Sequence, residues 1–514
     1  MAETRMAKAK KNVISSFMRN MLSLLLVFVS RIIFVRVLDA GYLGINGLFT
    51  NILNVLSMAD LGMGTAMMYS LYKPIAENNV DKINALIAFF KKIYSAIALA
   101  VLAVGLAVMP FLDYIVKLDK PIVGLRGYYF LALLNVVMSY LFVYRTTLLT
   151  ADQKGYILNK YIMIFKGITF IVQTCVLVLF KNYFLYLAAA LVISFVSNLV
   201  QNLIALKYYP YLKNKSFSLD KKEKKRIARD VKATFIYKIS GTIQENTDSI
   251  LISVFAGTIF VGYYSNYSII FSAVVSIINL LFNAIKASIG NLIASNEASQ
   301  EEKIFYYKVL DLINFWIVGW SSICLLCLIQ DFIQLVFGTG YTLEFPVVGA
   351  IVLNFYVTNI RQTLWVFRET TGLFHETRYI VAVTAVLNLF LSLLFGYFWG
   401  ITGIIAATII AKMAYAWWKE PMVLFRKFFD ISAKAYYFTY IKRICLCGIG
   451  GAATICVCYT IDSGNMYVEF VERIIICCII PNILFLICYL KTPEFQYIFK
   501  RLIKPIIKKK NPIM

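Results

Sequence analysis

The run SGTIQENTDS, residues 240–249, interrupts a stretch that otherwise has the apolar character of a membrane span. Lys238 precedes it, and it carries Glu245 and Asp248. A charge at the centre of a membrane helix costs about 2.5 to 3.5 kcal/mol on insertion scales. Lys238, Gly241, Glu245 and Asp248 follow one another at spacings of three, four and three, which places them on one helix face. Such a helix is stable in a bilayer when that face borders a wet cavity. The reading is a solute pathway through a membrane protein.

The rest of the chain agrees. Its 514 residues are 60% hydrophobic with a mean hydropathy of +0.74. Apolar runs of about 20 residues, the length that crosses a bilayer, recur from end to end. A net charge of +24 in a soluble protein would point to nucleic acid. Here the charge gathers in a few loops, so membrane topology explains it and no nucleic acid is expected. Seven of the ten cysteines lie in the last two apolar spans, and Cys324 and Cys327 form a CxxC inside another. Metal-site spacing is missing, so these thiols read as small packed hydrophobes with no metal. His375 is the single histidine and falls in a loop, which excludes intramembrane histidine chemistry.

The expected fold is an all-α integral membrane protein of about fourteen transmembrane helices. The basic loop 207–230 divides it into an N-lobe at 1–206 and a C-lobe at 231–424, followed by two further spans at 425–490 and a basic tail at 491–514. Arg145, Thr147, Leu148, Gly155, Lys160 and Tyr161 recur as Arg361, Thr363, Leu364, Gly372, Arg378 and Tyr379. Gly44, Ser70, Ala76 and Asn78 recur as Gly262, Ser288, Ala294 and Asn296, within the same range of offsets, 216 to 218 residues. Two six-helix lobes, related as parallel repeats around a central cavity, follow from that duplication. Lys/Arg concentrate at the N-terminus, in the 207–229 loop and in the tail, so both termini are expected in the cytoplasm. Phe495, Ile498, Phe499, Leu502 and Ile506, with Lys500, Arg501 and Lys504 between them, describe an amphipathic helix on the inner leaflet lipids.

Within the spans, Arg19, Ser23 and Arg31 lie near one face of the first, and Arg31 is deep enough to line a cavity, with a structural ion pair or snorkelling as the alternative. In the span expected at 343–368, Asn354, Thr358, Arg361, Trp365 and Arg368 follow the spacing four, three, four, three. That polar stripe should face the cavity, with an interfacial role as the alternative for Arg368. Arg145 and Lys238 read equally as cavity residues or as snorkelling anchors. Cations in a pathway point to anionic cargo, because guanidinium grips phosphate through paired hydrogen bonds and stays charged at neutral pH. Glu245, Asp248 and Asp60 either balance those cations or serve ion coupling and gating; for Asp60, in ADLGMG, a structural role is also open. No cofactor is expected beyond a coupling proton or sodium ion. The outer loops are too short for a catalytic domain, and phosphate-cradling, zinc and Ser/His/Asp patterns are missing, so the chain does not read as an enzyme.

FVSRIIFVRVLDAGYLGINGLF (28–49), LSMADLGMGTAMMYSLYKPIAENN (56–79), NTDSILISVFAGTIFVGYYSNY (246–267) and RQTLWVFRETTGLFHETRY (361–379) resemble Wzx-type polysaccharide flippases. These belong to the multidrug/oligosaccharidyl-lipid/polysaccharide (MOP) exporter superfamily. The resemblance covers most of the chain and weakens past residue 430. It implies alternating access in a bacterial cell membrane, with a polyprenyl-pyrophosphate-linked oligosaccharide moved from the inner to the outer leaflet for capsule, O-antigen or exopolysaccharide assembly. It also implies glycosyltransferases and a polysaccharide polymerase as functional partners. Ser30-Arg31 matches the Ser-Arg of related flippases in the first span. The alternative within the superfamily is an exporter of drugs or organic ions, for which an acidic pocket would be expected. A membrane polymerase or acyltransferase would want a large outer loop or an intramembrane histidine.

Overall fold

The computed structural model describes residues 5–57, 63–118, 122–213, 219–221, 223–225, 227, 241–242, 246–294, 299–460 and 463–503. Among them the regular elements are all helical, as a bilayer requires of a chain whose backbone groups find no water partners. The first part of the chain forms α1 (Arg5–Val37), α2 (Ala40–Leu56), α3 (Met63–Ala76), α4 (Val80–Val108), the short α5 (Leu112–Ile115), α6 (Leu125–Tyr140), α7 (Val143–Ala151), α8 (Gly155–Phe180) and α9 (Tyr183–Tyr208). Residues 246–255 form α10. There follow α11 (Thr258–Ala294), α12 (Gln300–Phe337), α13 (Phe345–Asn359), α14 (Gln362–Thr371), α15 (Phe374–Ala411), α16 (Trp417–Lys427), α17 (Lys434–Tyr459), α18 (Met466–Tyr489) and α19 (Pro493–Ile498). Local chemistry fixes several starts. Ser299 accepts from the Glu302 amide while the Glu302 carboxylate accepts from the Ser299 amide, a capping box that opens α12.

Among the described residues nine helices are long and apolar enough to cross a membrane, or ten when α6 and α7, bent by 47°, count as one span. This falls short of the expected fourteen or so for three reasons. The spans expected at 41–69 and 231–256 run over residues outside the description. The span expected at 343–368 is broken into α13 and α14, each too short by itself. Those expected at 378–397 and 400–424 fall in one run, Tyr379–Lys427, sharply kinked at Gly400. Gly400 has φ 54°, a left-handed conformation open to glycine. A Cβ on Gly403 would stand 2.1 Å from the Phe395 carbonyl oxygen, so the kink closes on a second glycine.

The chain divides into two compact units, Met1–Ser265 and Asn266–Met514. The division falls inside α11, past the basic connector, because α10 and the start of α11 are tied to the first unit by polar contacts. Asn54 Nδ2 donates to Asn246 Oδ1 at 3.1 Å, Ser253 Oγ to the Ile115 carbonyl at 2.6 Å, and the Lys117 amide to Thr258 Oγ1 at 2.8 Å. Gly44 and Gly262, which the sequence repeat pairs, meet where α2 crosses α11. A Cβ on Gly262 would lie 2.9 Å from the Gly44 nitrogen. Such close crossings of small residues are how apolar helices associate in lipid.

The first unit is cored by Leu48, Met67, Phe90, Tyr129 and Leu148, and the second by Phe315, Val318, Val348, Phe367 and Phe485, all fully buried. Leu99, Ile171, Leu179, Val386, Phe390 and Ile487 stand exposed, the outward apolar surface expected of lipid-facing helices.

Candidate functional site

In the second unit the expected stripe is assembled from two helices. Nothing in the sequence Asn359-Ile360-Arg361-Gln362 is a helix breaker, yet α13 stops and α14 starts there. The carbonyls released at such a break need partners in an apolar setting. Asn314 of α12 supplies them, its Nδ2 donating to the Asn359 and Ile360 carbonyls at 3.2 and 2.7 Å. The break turns Arg361 inward, where it forms an ion pair with Glu420 of α16. Arg368 Nη1 lies 3.0 Å from the other oxygen of the same carboxylate. Trp365 Nε1 donates to Glu420 Oε2 at 3.3 Å, and the Arg361 guanidinium lies 5.7 Å from the Trp365 ring centre. Arg361, Arg368 and Glu420 are buried, at 4%, 2% and 2% exposure. The stripe therefore closes on an internal carboxylate in this conformation, with the two arginines off the surface.

One helical turn away, Asn354 and Thr358 remain half-exposed. Lys412 Nζ donates to Asn354 Oδ1 at 2.9 Å and to Thr358 Oγ1 at 2.7 Å. Lys412 opens a π-helical turn, Lys412–Ala416, between α15 and α16. Such turns shift helix phase and often accompany functional sites. Lys412 and Glu420 were not read as site residues: Lys412 stands alone midway along the span expected at 400–424, and Glu420 sits near its end.

The first unit holds the related arrangement. Arg145, beside the bend between α6 and α7, donates from Nη1 to Asn202 Oδ1 of α9 at 3.0 Å. Asn202 and Glu420 stand 218 residues apart and Arg145 and Arg361 stand 216 apart, so the partners fall close to the repeat spacing expected from the sequence. Elsewhere in this unit Arg31 is 9% exposed, donates to Ser265 Oγ and lies beside Tyr183 and Tyr186. Tyr183 in turn packs against Phe34, Tyr42 and Tyr128, with ring centres 5.1–5.9 Å apart. Asp248 is buried in α10. Asp60, Lys238 and Glu245 lie outside the described residues.

Two groupings were missed from the sequence. Arg443 of α17 and Asp311 of α12 form a buried ion pair, the signal for which was simply a charge inside each of two apolar spans. Cys327, Cys458 and Cys477 bring their sulfurs within 4.8 Å of one another from three helices, a proximity that linear spacing cannot display.

These features define a class: a polytopic membrane protein with the fold of the MOP-superfamily transporters. The structure resembles the lipid II flippase MurJ in an inward closed conformation, with 16% identity, 93% of this chain and 98% of that one covered, and a TM-score of 0.65. It resembles an inward-facing multidrug resistance MATE transporter of the MOP superfamily, with 13% identity, 77% and 91% covered, and a TM-score of 0.58. A Vibrio cholerae MATE transporter mutant follows at 13% identity, 82% and 98% covered, and a TM-score of 0.53. No protein of curated function matches the chain in sequence. The model of the polysaccharide biosynthesis protein family matches residues 9–285, more than half of the chain, and the chain belongs to that family.

Proposed function

We propose that the protein is a flippase that carries polyprenyl-pyrophosphate-linked oligosaccharide repeat units from the inner to the outer leaflet of the bacterial cytoplasmic membrane, with both termini in the cytoplasm. The observation that carries this reading is the pairing of two buried guanidiniums, Arg361 and Arg368, with one carboxylate, Glu420. Burying charges is repaid only by a partner of matching charge and geometry. A pyrophosphate offers oxygens in the arrangement that paired guanidinium N–H groups recognise. It would displace Glu420, so cargo binding exchanges one anion for another at nearly constant burial of charge. An organic-cation exporter would place its spare charge in carboxylates, and this cluster has the opposite excess.

Arg31 and Arg145 supply the related cations of the first unit, while Asn354, Thr358 and Lys412 offer a half-exposed polar face suited to sugar hydroxyls. The polyprenyl chain stays in lipid while the polar head crosses. Energy comes from consumption of the cargo by a polymerase outside, or from a proton or sodium gradient. We assign the coupling of such a gradient to Asp248, which is buried in α10. Asp248→Asn is expected to remove the dependence of transport on an imposed gradient while substrate binding persists. A gradient effect of equal size in wild type and variant removes Asp248 from that role.

Cells depleted of the protein test the functional reading. Lipid-linked repeat units should accumulate on the inner leaflet and surface polysaccharide should disappear. Unchanged surface polysaccharide together with lost drug efflux would transfer the assignment to the exporter.

A further inference from the structure

We propose that the seam between α1 and α8 is a binding site for the phosphate group of a membrane-embedded lipid, held by Arg19 and Lys166. The two helices run in the same direction, since Asn12, Ser16 and Ser23 meet Tyr156, Asn159 and Lys166 in that order. Along this seam α1 presents Asn12, Ser16, Arg19 and Ser23, spaced four, three and four, and α8 presents Asn159 and Lys166 two turns apart. Arg19 Nη1 donates to Asn159 Oδ1 at 2.9 Å, and Asn159 Nδ2 donates to Ser15 and Ser16 at 3.0 and 3.1 Å. Lys166 Nζ donates to Ser23 Oγ at 2.5 Å.

Every one of these partners is neutral, and among the described residues no carboxylate pairs with either cation. The two are nevertheless close enough to repel each other. Both belong to segments apolar enough to cross a membrane, Lys11–Val37 and Gly155–Phe180. At 1.5 Å per residue, Arg19 stands about 12 Å and Lys166 about 16 Å into those segments. Two like charges in that setting are unfavourable without an anion beside them. A phosphate group supplies the missing charge, and charge-assisted hydrogen bonds to it are the strong kind.

The surroundings specify what the phosphate is attached to. Lys166 is exposed, so the site is open at its edge. Ile164, Ile168, Met18 and Leu25 are exposed on the other faces of the same two helices, so the helices that form the seam are bordered by hydrocarbon. The ligand is therefore an amphiphile with a phosphate head, and both an anionic phospholipid and a polyprenyl pyrophosphate have that chemistry. This inference does not depend on the cargo assignment above.

Native mass spectrometry of the purified full-length protein tests it, with phosphatidylglycerol and a polyprenyl pyrophosphate as separate probes. At least one probe should bind wild type and lose about tenfold in affinity in the Arg19→Gln/Lys166→Gln variant, by loss of charge-assisted bonds. A larger loss for the pyrophosphate marks a cargo-docking site, and a larger loss for phosphatidylglycerol marks a structural lipid site. Arg36→Gln, at an exposed position away from the seam, should bind both as wild type does. If the double variant does not fold, Lys166→Gln alone, which removes one exposed side chain, should still weaken binding severalfold. Unchanged affinity for both probes in a folded variant overturns the proposal.

Discussion

Arg361→Ala is expected to abolish export of surface polysaccharide, with a loss of about a hundredfold, because each charge-assisted hydrogen bond to a phosphate is worth about 1.5 to 3 kcal/mol. Truncation also leaves Glu420 with Arg368 and Trp365 as its described partners. Breaking a buried pair from one side costs about 3 to 5 kcal/mol, so some of the loss in the single variant is stability. A second variant separates the two effects. Arg361→Ala combined with Glu420→Gln removes both charges, and should recover much of the stability while export stays absent. Arg361→Lys should rescue in part, since lysine keeps the charge and loses the planar fork. Melting temperature in detergent and surface polysaccharide yield are the two readouts. Normal export by the neutralised double variant would make this cluster a structural brace.

The second large effect belongs to stability alone. Arg443→Leu is expected to destabilise the protein by about 3 to 5 kcal/mol, because it strands the Asp311 carboxylate in the core of the second unit. Arg443 is 4% exposed, pairs with Asp311 and lies 5.1 Å from the Phe315 ring centre, so it ties α17 to α12. Adding Asp311→Leu should restore most of the loss, since an apolar pair of similar volume often matches a buried ion pair. Denaturant or thermal unfolding of the purified variants measures this directly. Arg443→Leu should also lower export in proportion to the protein remaining in the membrane. A folded, fully abundant Arg443→Leu variant that fails to export would give this pair a transport role.

Much of the architecture is legible because lipid leaves few alternatives. Long apolar runs must be helices, and charges within them must be paired or face water. The duplication was expected from a handful of identities, and Arg145 and Arg361 each stand beside an interruption between two helices. The interruption itself was not legible. It contains no proline or glycine, and it is held by Asn314, a residue far away in sequence on another helix. For the same reason a continuous stripe from Asn354 to Arg368 was expected where the structure has two helices and a buried cluster. Glu420 was obscured by its place near the end of an expected span, although its 218-residue separation from Asn202 is close to the 216 between Arg145 and Arg361. Lys166 was passed over because α8 offers it no acidic partner, and its significance arises only when α1 brings Arg19 beside it.

The central claim is that a cationic site moves an anionic lipid-linked sugar. Purified protein in vesicles loaded with a fluorescent polyprenyl-pyrophosphate oligosaccharide in one leaflet measures this most directly, with leaflet exposure read by a membrane-impermeant quencher. Wild type should equilibrate the label between leaflets, a non-pyrophosphate lipid-linked sugar should not be moved, and the Arg361→Ala/Glu420→Gln protein should leave the label where it began. Equal movement of both lipids, or full activity in that double variant, would contradict the account.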